Sequence, residues 1–167
     1  MMAQNTFLIG AYGYTAQLIA AQMAAAGLAF TAVGRDQTKL EQLQQEFVNC
    51  YGYIVADIQN EAMLDFLQKG AVVINCAGPF NLLAPTLLAK CIAVGAHYID
   101  ITGEQEIVRQ SYERYARTAR QNEICVLHSM AFESALTDIL LSHSLQKVAQ
   151  DEIEEVQSYY HIGSQQM

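Results

Sequence analysis

The chain has 167 residues, 52% hydrophobic and 16% charged, with 9 basic against 17 acidic side chains and a formal net charge of −8. That balance describes a folded chain with room for one domain, or for one domain and the start of another, and excludes a disordered segment. It argues against a nucleic-acid backbone or an anionic membrane as partner; no apolar run reaches the roughly 18–20 residues of a membrane span, and the opening MMAQN lacks the basic flank of a secretory leader.

Strand-like and helix-like stretches alternate along the chain. Residues 6–9 read as a first strand and 14–26 as a helix stopped by Gly27. Residues 29–33 form a second strand, after which Asp36 caps a helix whose Leu40, Leu43 and Phe47 repeat on one face. A third strand at 53–55 is followed by a helix over 60–69, stopped by Gly70. The fourth strand, 71–74, shows no polar alternation, as a strand buried on both faces requires. Then come a helix over 85–94 stopped by Gly95, a fifth strand at 97–101, a long helix over 104–121, a sixth strand at 124–127 and a helix over 134–148. The fold class is α/β, a doubly wound parallel sheet with helices on both faces. Composition shifts near residue 150, and 153–162 read as a strand of different character. Residues 1–150 are therefore expected to form a dinucleotide-binding domain, and 151–167 to open a second, substrate or dimerisation domain of α+β type.

Residues 10–16 read GAYGYTA, a glycine turn between the first strand and the first helix. The first turn of a helix carries unpaired N–H groups and the positive end of the macrodipole, which suits a pyrophosphate. Gly10 lets the chain leave the strand sharply, Gly13 lets a phosphate approach the backbone, and Ala16 lets helix and strand pack closely. Tyr12, Tyr14 and Thr15 complete the turn and count with the glycines as cofactor contacts. The second strand ends Val33-Gly34-Arg35-Asp36, without a carboxylate at its tip. A guanidinium there grips a 2′-phosphate, which places NADP ahead of NAD; Asp36 as a ribose ligand is the NAD alternative. Asp57 either accepts from the adenine amino group or starts a helix. Asn75, Ala77, Gly78 and Pro79, around Cys76 and before Phe80, leave room for sugar and nicotinamide at the end of the fourth strand.

These segments, with HYIDITGE at 97–104 and FESALTD at 132–138, resemble the NADP-binding domain of saccharopine dehydrogenase-like proteins, a broad group that includes trans-acting enoyl reductases. The resemblance covers about residues 6–145. It implies a Rossmann fold, a nicotinamide cofactor, a second and mostly β domain closing over the nicotinamide, and a full length roughly twice that of this chain. Two positions depart from the group's pattern: Ala16 stands for the third glycine, and AFESALTD for GFDSxPSD.

Tyr98, Asp100, Thr102, Glu104, Ser129, Glu133 and Ser134 fall near the ends of the fifth and sixth strands. Asp100 and Glu104 serve in proton transfer if burial raises their pKa; otherwise Asp100 and Thr102 hold the loop and Glu104 caps the next helix. Glu133 is a third candidate acid. His97 reads as a packed side chain. Tyr-x-x-x-Lys, the short-chain dehydrogenase pair, is absent at every lysine, and so is a P-loop. Cys50, Cys76, Cys91 and Cys125 form no CxxC pair and read as reduced, mostly buried thiols of a cytoplasmic protein; no metal cluster is visible. The basic-aromatic run at 112–120 reads as an amphipathic helix with Ser111, Tyr115 and Ala119 inward. Three functions remain open: an NADP-dependent oxidoreductase acting on a small-molecule carbonyl, imine or enoyl substrate; a regulatory module that holds NADP without turning it over; and a cofactor domain inactive by itself. Self-association into a homo-oligomer through the strand at 153–162 is expected.

Overall fold

The computed structural model describes residues 5–146, 153 and 155–159. β1 (Thr6–Ile9) runs through the glycine turn into α1 (Tyr14–Ala25), followed by β2 (Phe30–Gly34), α2 (Gln37–Glu46) and β3 (Cys50–Val55). β4 (Val72–Asn75), α3 (Phe80–Val94), β5 (His97–Asp100), α4 (Gln105–Gln121), β6 (Val126–Leu127) and α5 (Phe132–Leu145) complete the order. Every strand pair is parallel, and the strands lie in the order β3-β2-β1-β4-β5-β6. The order reverses between β1 and β4, so the chain leaves these two neighbours in opposite directions and opens a crevice at their carboxyl ends.

Strand alternation builds two cores. Leu8 and Ala32 pack with Ala16, Ala20 and Met23 of α1 and with Leu40 and Leu43 of α2. Phe7, Ile9, Val73 and Tyr98 face the other way, onto Leu87, Leu88, Cys91 and Ile92 of α3 and Ala119 of α4. Among the described residues no helix is long and apolar enough to cross a membrane.

Three sequence expectations fail locally. Residues 60–69 do not form an α-helix; they hold one 3-10 turn, Glu61–Leu64, with the Asn60 side chain accepting from Ala62 N. Leu64 and Phe66 both pack on the core, and Phe66 meets the Phe7 ring at 4.9 Å. Residues two apart lie on different sides of a helix, so the segment leaves the helix to bury both. α3 starts at Phe80, not at residue 85, and carries Pro85 inside it; the proline removes one ladder donor, while the first amides of the helix gain a carboxylate described below. Residues 153 and 155–159 form no strand, and none of the six strands pairs with them; the rest of the expected 153–162 strand lies outside the described residues.

Candidate functional site

β1 ends at Gly10, whose φ of 68° lies in the left-handed region. The Gly10 amide donates to Val33 O of β2 at 2.9 Å, and Gly13 N donates back to Gly10 O at 2.8 Å. A Cβ at Gly10 would stand 3.2 Å from the backbone of Ala77, so this glycine lets the β1 and β4 ends approach. α1 then begins with no side-chain cap on Gly13 and no acidic residue in its first turn. The positive end of α1 is therefore left for an external anion.

The cleft beside this turn holds about 210 Å³. Gly10, Tyr12 and Gly13 form one wall, Gly34 and Arg35 the tip of β2, and Asp57 and Ile58 the end of β3. Cys76, Ala77 and Gly78 close it from β4, with Leu83 of α3, which the sequence reading did not include. Tyr14, Thr15, Asn75 and Pro79 do not line it. Asn75 lies beneath: its Nδ2 donates to the Tyr98 hydroxyl at 2.9 Å, and its Oδ1 accepts from Ala77 N at 3.0 Å. It shapes the β4 turn from below. Asp36 spends its carboxylate on the α2 cap, accepting from Lys39 N at 3.1 Å, and Asp57 accepts from Gln59 N at 3.0 Å. A larger hollow, about 370 Å³ between α3 and α4, is lined by none of the glycine-turn or β4-end residues.

A second helix N-terminus adjoins the crevice, and it is closed. Both carboxylate oxygens of Glu104 accept from α3, from Phe80 N at 3.0 Å and Asn81 N at 3.1 Å. Glu104 thus caps the preceding helix across the sheet edge, and gives α4, the helix it precedes, no side-chain cap. An uncapped helix start, a close glycine turn and a strand tip without a carboxylate fit a dinucleotide whose pyrophosphate lies on α1.

The model of the saccharopine dehydrogenase NADP binding domain matches residues 6–128. The chain belongs to that family. Its cofactor is NADP. The human saccharopine dehydrogenase-like oxidoreductase is 27% identical over 159 residues, 84% of this chain and 37% of that protein. A Mycobacterium tuberculosis protein provisionally named a trans-acting enoyl reductase is 28% identical over 138 residues, 79% of this chain and 33% of its own length. The chain thus spans about a third of the length of these relatives. The fold matches apo saccharopine dehydrogenase (L-Glu forming) of Saccharomyces cerevisiae with a TM-score of 0.71 at 17% identity, over 87% of this chain and 31% of that one.

Within this NADP-binding domain Asp100 takes the loop-holding role that the sequence offered beside proton transfer, whereas Glu104 caps α3 and not the helix that follows it. Asp100 is fully buried. Its Oδ1 accepts from Thr102 N at 3.2 Å and Ser129 N at 3.0 Å, and its Oδ2 lies 2.7 Å from His128 Nδ1. Burial by itself raises the carboxyl pKa, but His128 and these amides together hold it below the ordinary value. Asp100 is thus an ionised structural acceptor, where a proton donor would need a raised pKa. His128 Nε2 lies 2.7 Å from Ser111 Oγ. Since an ionised carboxylate only accepts, the Nδ1 nitrogen carries hydrogen. The Ser–His–Asp order copies a hydrolase relay, but Ser111 sits in the middle of α4, where helix amides bond within the helix and supply no oxyanion donors. The sequence placed Ser111 inward but did not link it to His128; two polar residues at the ends of neighbouring strands were the available signal.

The remaining groups are also placed. Burial, then the Asp100 charge, pushes the Cys76 thiol up to about 12, so it is not a thiolate nucleophile at neutral pH. Burial raises the Tyr98 phenol as well. Glu133 is exposed at the start of α5. His97 Nδ1 accepts from Cys125 N at 3.0 Å and stitches β5 to the segment entering β6. Cys50 and Cys91 are buried, Cys76 is partly buried and Cys125 is exposed.

Proposed function

We propose that the chain is the cofactor half of an NADP-dependent oxidoreductase acting on a small-molecule carbonyl, imine or enoyl carbon. The open N-terminus of α1, facing a cleft walled by the β2 tip and the β4 end, carries this reading. The first amides of α1, those of Tyr14 and Thr15, hold the pyrophosphate, and Gly10 and Gly13, whose own amides bond within the protein, let it approach the backbone. Arg35 pairs with the 2′-phosphate, Asp57 and Ile58 border the adenine, and Ala77 and Gly78 leave space for the nicotinamide ribose. The bound nicotinamide supplies or accepts the hydride, and the protein's part is to orient it and exclude water.

A second reading, a module that holds NADP without turnover, draws on Asp100 and Glu104, both occupied within the protein. NADPH oxidation by the chain in the presence of a carbonyl panel would overturn the second reading. Binding comes first: NADPH titrated by its own fluorescence is expected to saturate below millimolar concentration and to bind more tightly than NADH. Arg35→Ala is expected to weaken NADPH by roughly ten- to a hundredfold, the worth of a charged hydrogen-bond pair, and to leave NADH near its original affinity. Equal losses for the two cofactors would remove Arg35 from phosphate recognition.

A further inference from the structure

The tip of β2 has no side chain, and the space one would take is filled. A Cβ built on Gly34 meets Tyr12 Cε1 at 2.6 Å and Cζ at 3.2 Å. The tyrosine is held in three ways. Its carbonyl accepts from Gln17 Nε2 at 2.9 Å, its hydroxyl accepts from Arg35 N at 3.2 Å, and Lys39 Nζ stands 5.4 Å from its ring centroid. A phenol has one hydrogen to give and two lone pairs to receive on. Arg35 N takes one lone pair, and among the described residues nothing accepts the hydrogen. Tyr12 and Arg35 both line the cleft. The carboxylates nearby are Asp36, 3.6 Å from Lys39 Nζ and spent on the α2 cap, and Asp57, spent on its own turn.

We propose that Tyr12 sets the choice of NADP over NAD. Its ring bars a ribose-binding carboxylate from position 34, and its hydroxyl donates to the 2′-phosphate, with Arg35 and Lys39 as the flanking cations. The inference rests on the reading of this cleft as the adenosine end of the cofactor site. Arg35 supplies charge there, and Tyr12 supplies both the exclusion and the aimed donor. Exclusion predicts a reciprocal behaviour: a carboxylate at 34 fails beside Tyr12 and works once the ring is gone.

Calorimetric titration of the full chain with adenosine 2′,5′-bisphosphate and adenosine 5′-monophosphate tests this, since the two probes differ by the 2′-phosphate alone. Tyr12→Phe keeps the ring, and its melting temperature checks the fold. It is expected to cut the preference for the bisphosphate by about tenfold, the worth of one hydrogen bond to a charged group, with the monophosphate unchanged. Gly34→Asp alone is expected to bind neither NADP nor NAD well. Gly34→Asp combined with Tyr12→Ser is expected to bind NAD more tightly than NADP. An unchanged preference in Tyr12→Phe, with Arg35→Ala still losing it, would overturn the role of Tyr12 and leave the site reading standing. A wild-type chain that holds both probes equally would overturn the site reading itself.

Discussion

Glu104 shows how one carboxylate can close a helix end that is distant in sequence. Its two oxygens satisfy the Phe80 and Asn81 amides, and no equivalent group serves α1. An acid in a loop after β5 therefore closes the α3 amides, while α1 has neither a side-chain cap nor an acidic residue in its first turn. Glu104→Ala is expected to lower stability by about 1–2 kcal/mol, as loss of a helix cap does, measured by urea denaturation. NADPH affinity is expected to change little, because α1 is untouched; a large loss of binding would mean that the α3 terminus takes part in the cofactor site. Gly10 acts at the same scale in a different way, through a positive φ and a 3.2 Å approach to Ala77 that a side chain would oppose.

At the scale of elements, Asp100 joins the end of β5 to the loop entering α5. It binds Ser129 N, His128 and Thr102 N through its side chain, and its carbonyl accepts from Met130 N at 2.8 Å. Ser129 takes a φ of 59°, a conformation that costs roughly 1–2 kcal/mol for a non-glycine residue, and the bond to Asp100 offsets part of that cost. Because the folded carboxyl titrates below its ordinary value of 3.8, the unfolded chain binds more protons in the interval between the two. Stability from Asp100 is therefore present in full at neutral pH and lost as pH falls through and below about 4. The urea midpoint of wild type minus that of Asp100→Asn is expected to be constant from pH 7 to pH 5 and to shrink toward pH 3. A difference that stays constant down to pH 3 would show that the carboxylate's charge adds nothing.

Among the described residues, α5 is the helix left most open to solvent. α5 has no buried residue, and Phe132, Ile139 and Leu140 are 65%, 63% and 57% exposed. Exposed apolar side chains on one helix favour association. The chain is expected to self-associate through α5; the strand at 153–162, on which the sequence reading rested that expectation, does not form among its described residues. Light scattering at rising concentration should report species heavier than a monomer, and Ile139→Lys should return them to monomer. A wild-type chain that stays monomeric at high concentration would count against this surface.

How much of this was legible beforehand follows from the range of the interactions involved. The glycine turn, the Asp36 cap and the glycine stops at Gly27 and Gly95 were readable, because a turn and a cap depend on residues within a few positions. The order of alternating strands and helices was readable for the same reason, and right-handed crossovers then left few topologies. The 60–69 segment was misread because burial of Phe66 against Phe7, far away in sequence, overrode its local helical pattern. Glu104 was assigned to the helix next to it, whereas its partners stand 23 and 24 residues away. The sequence alone determined the parallel α/β architecture and the glycine turn between β1 and α1, since both follow from short-range backbone chemistry. Only the tertiary structure decided which helix end stays open, that Asp100 is an ionised strut, and that Tyr12 occupies the space above Gly34, because each depends on groups brought together from separate strands.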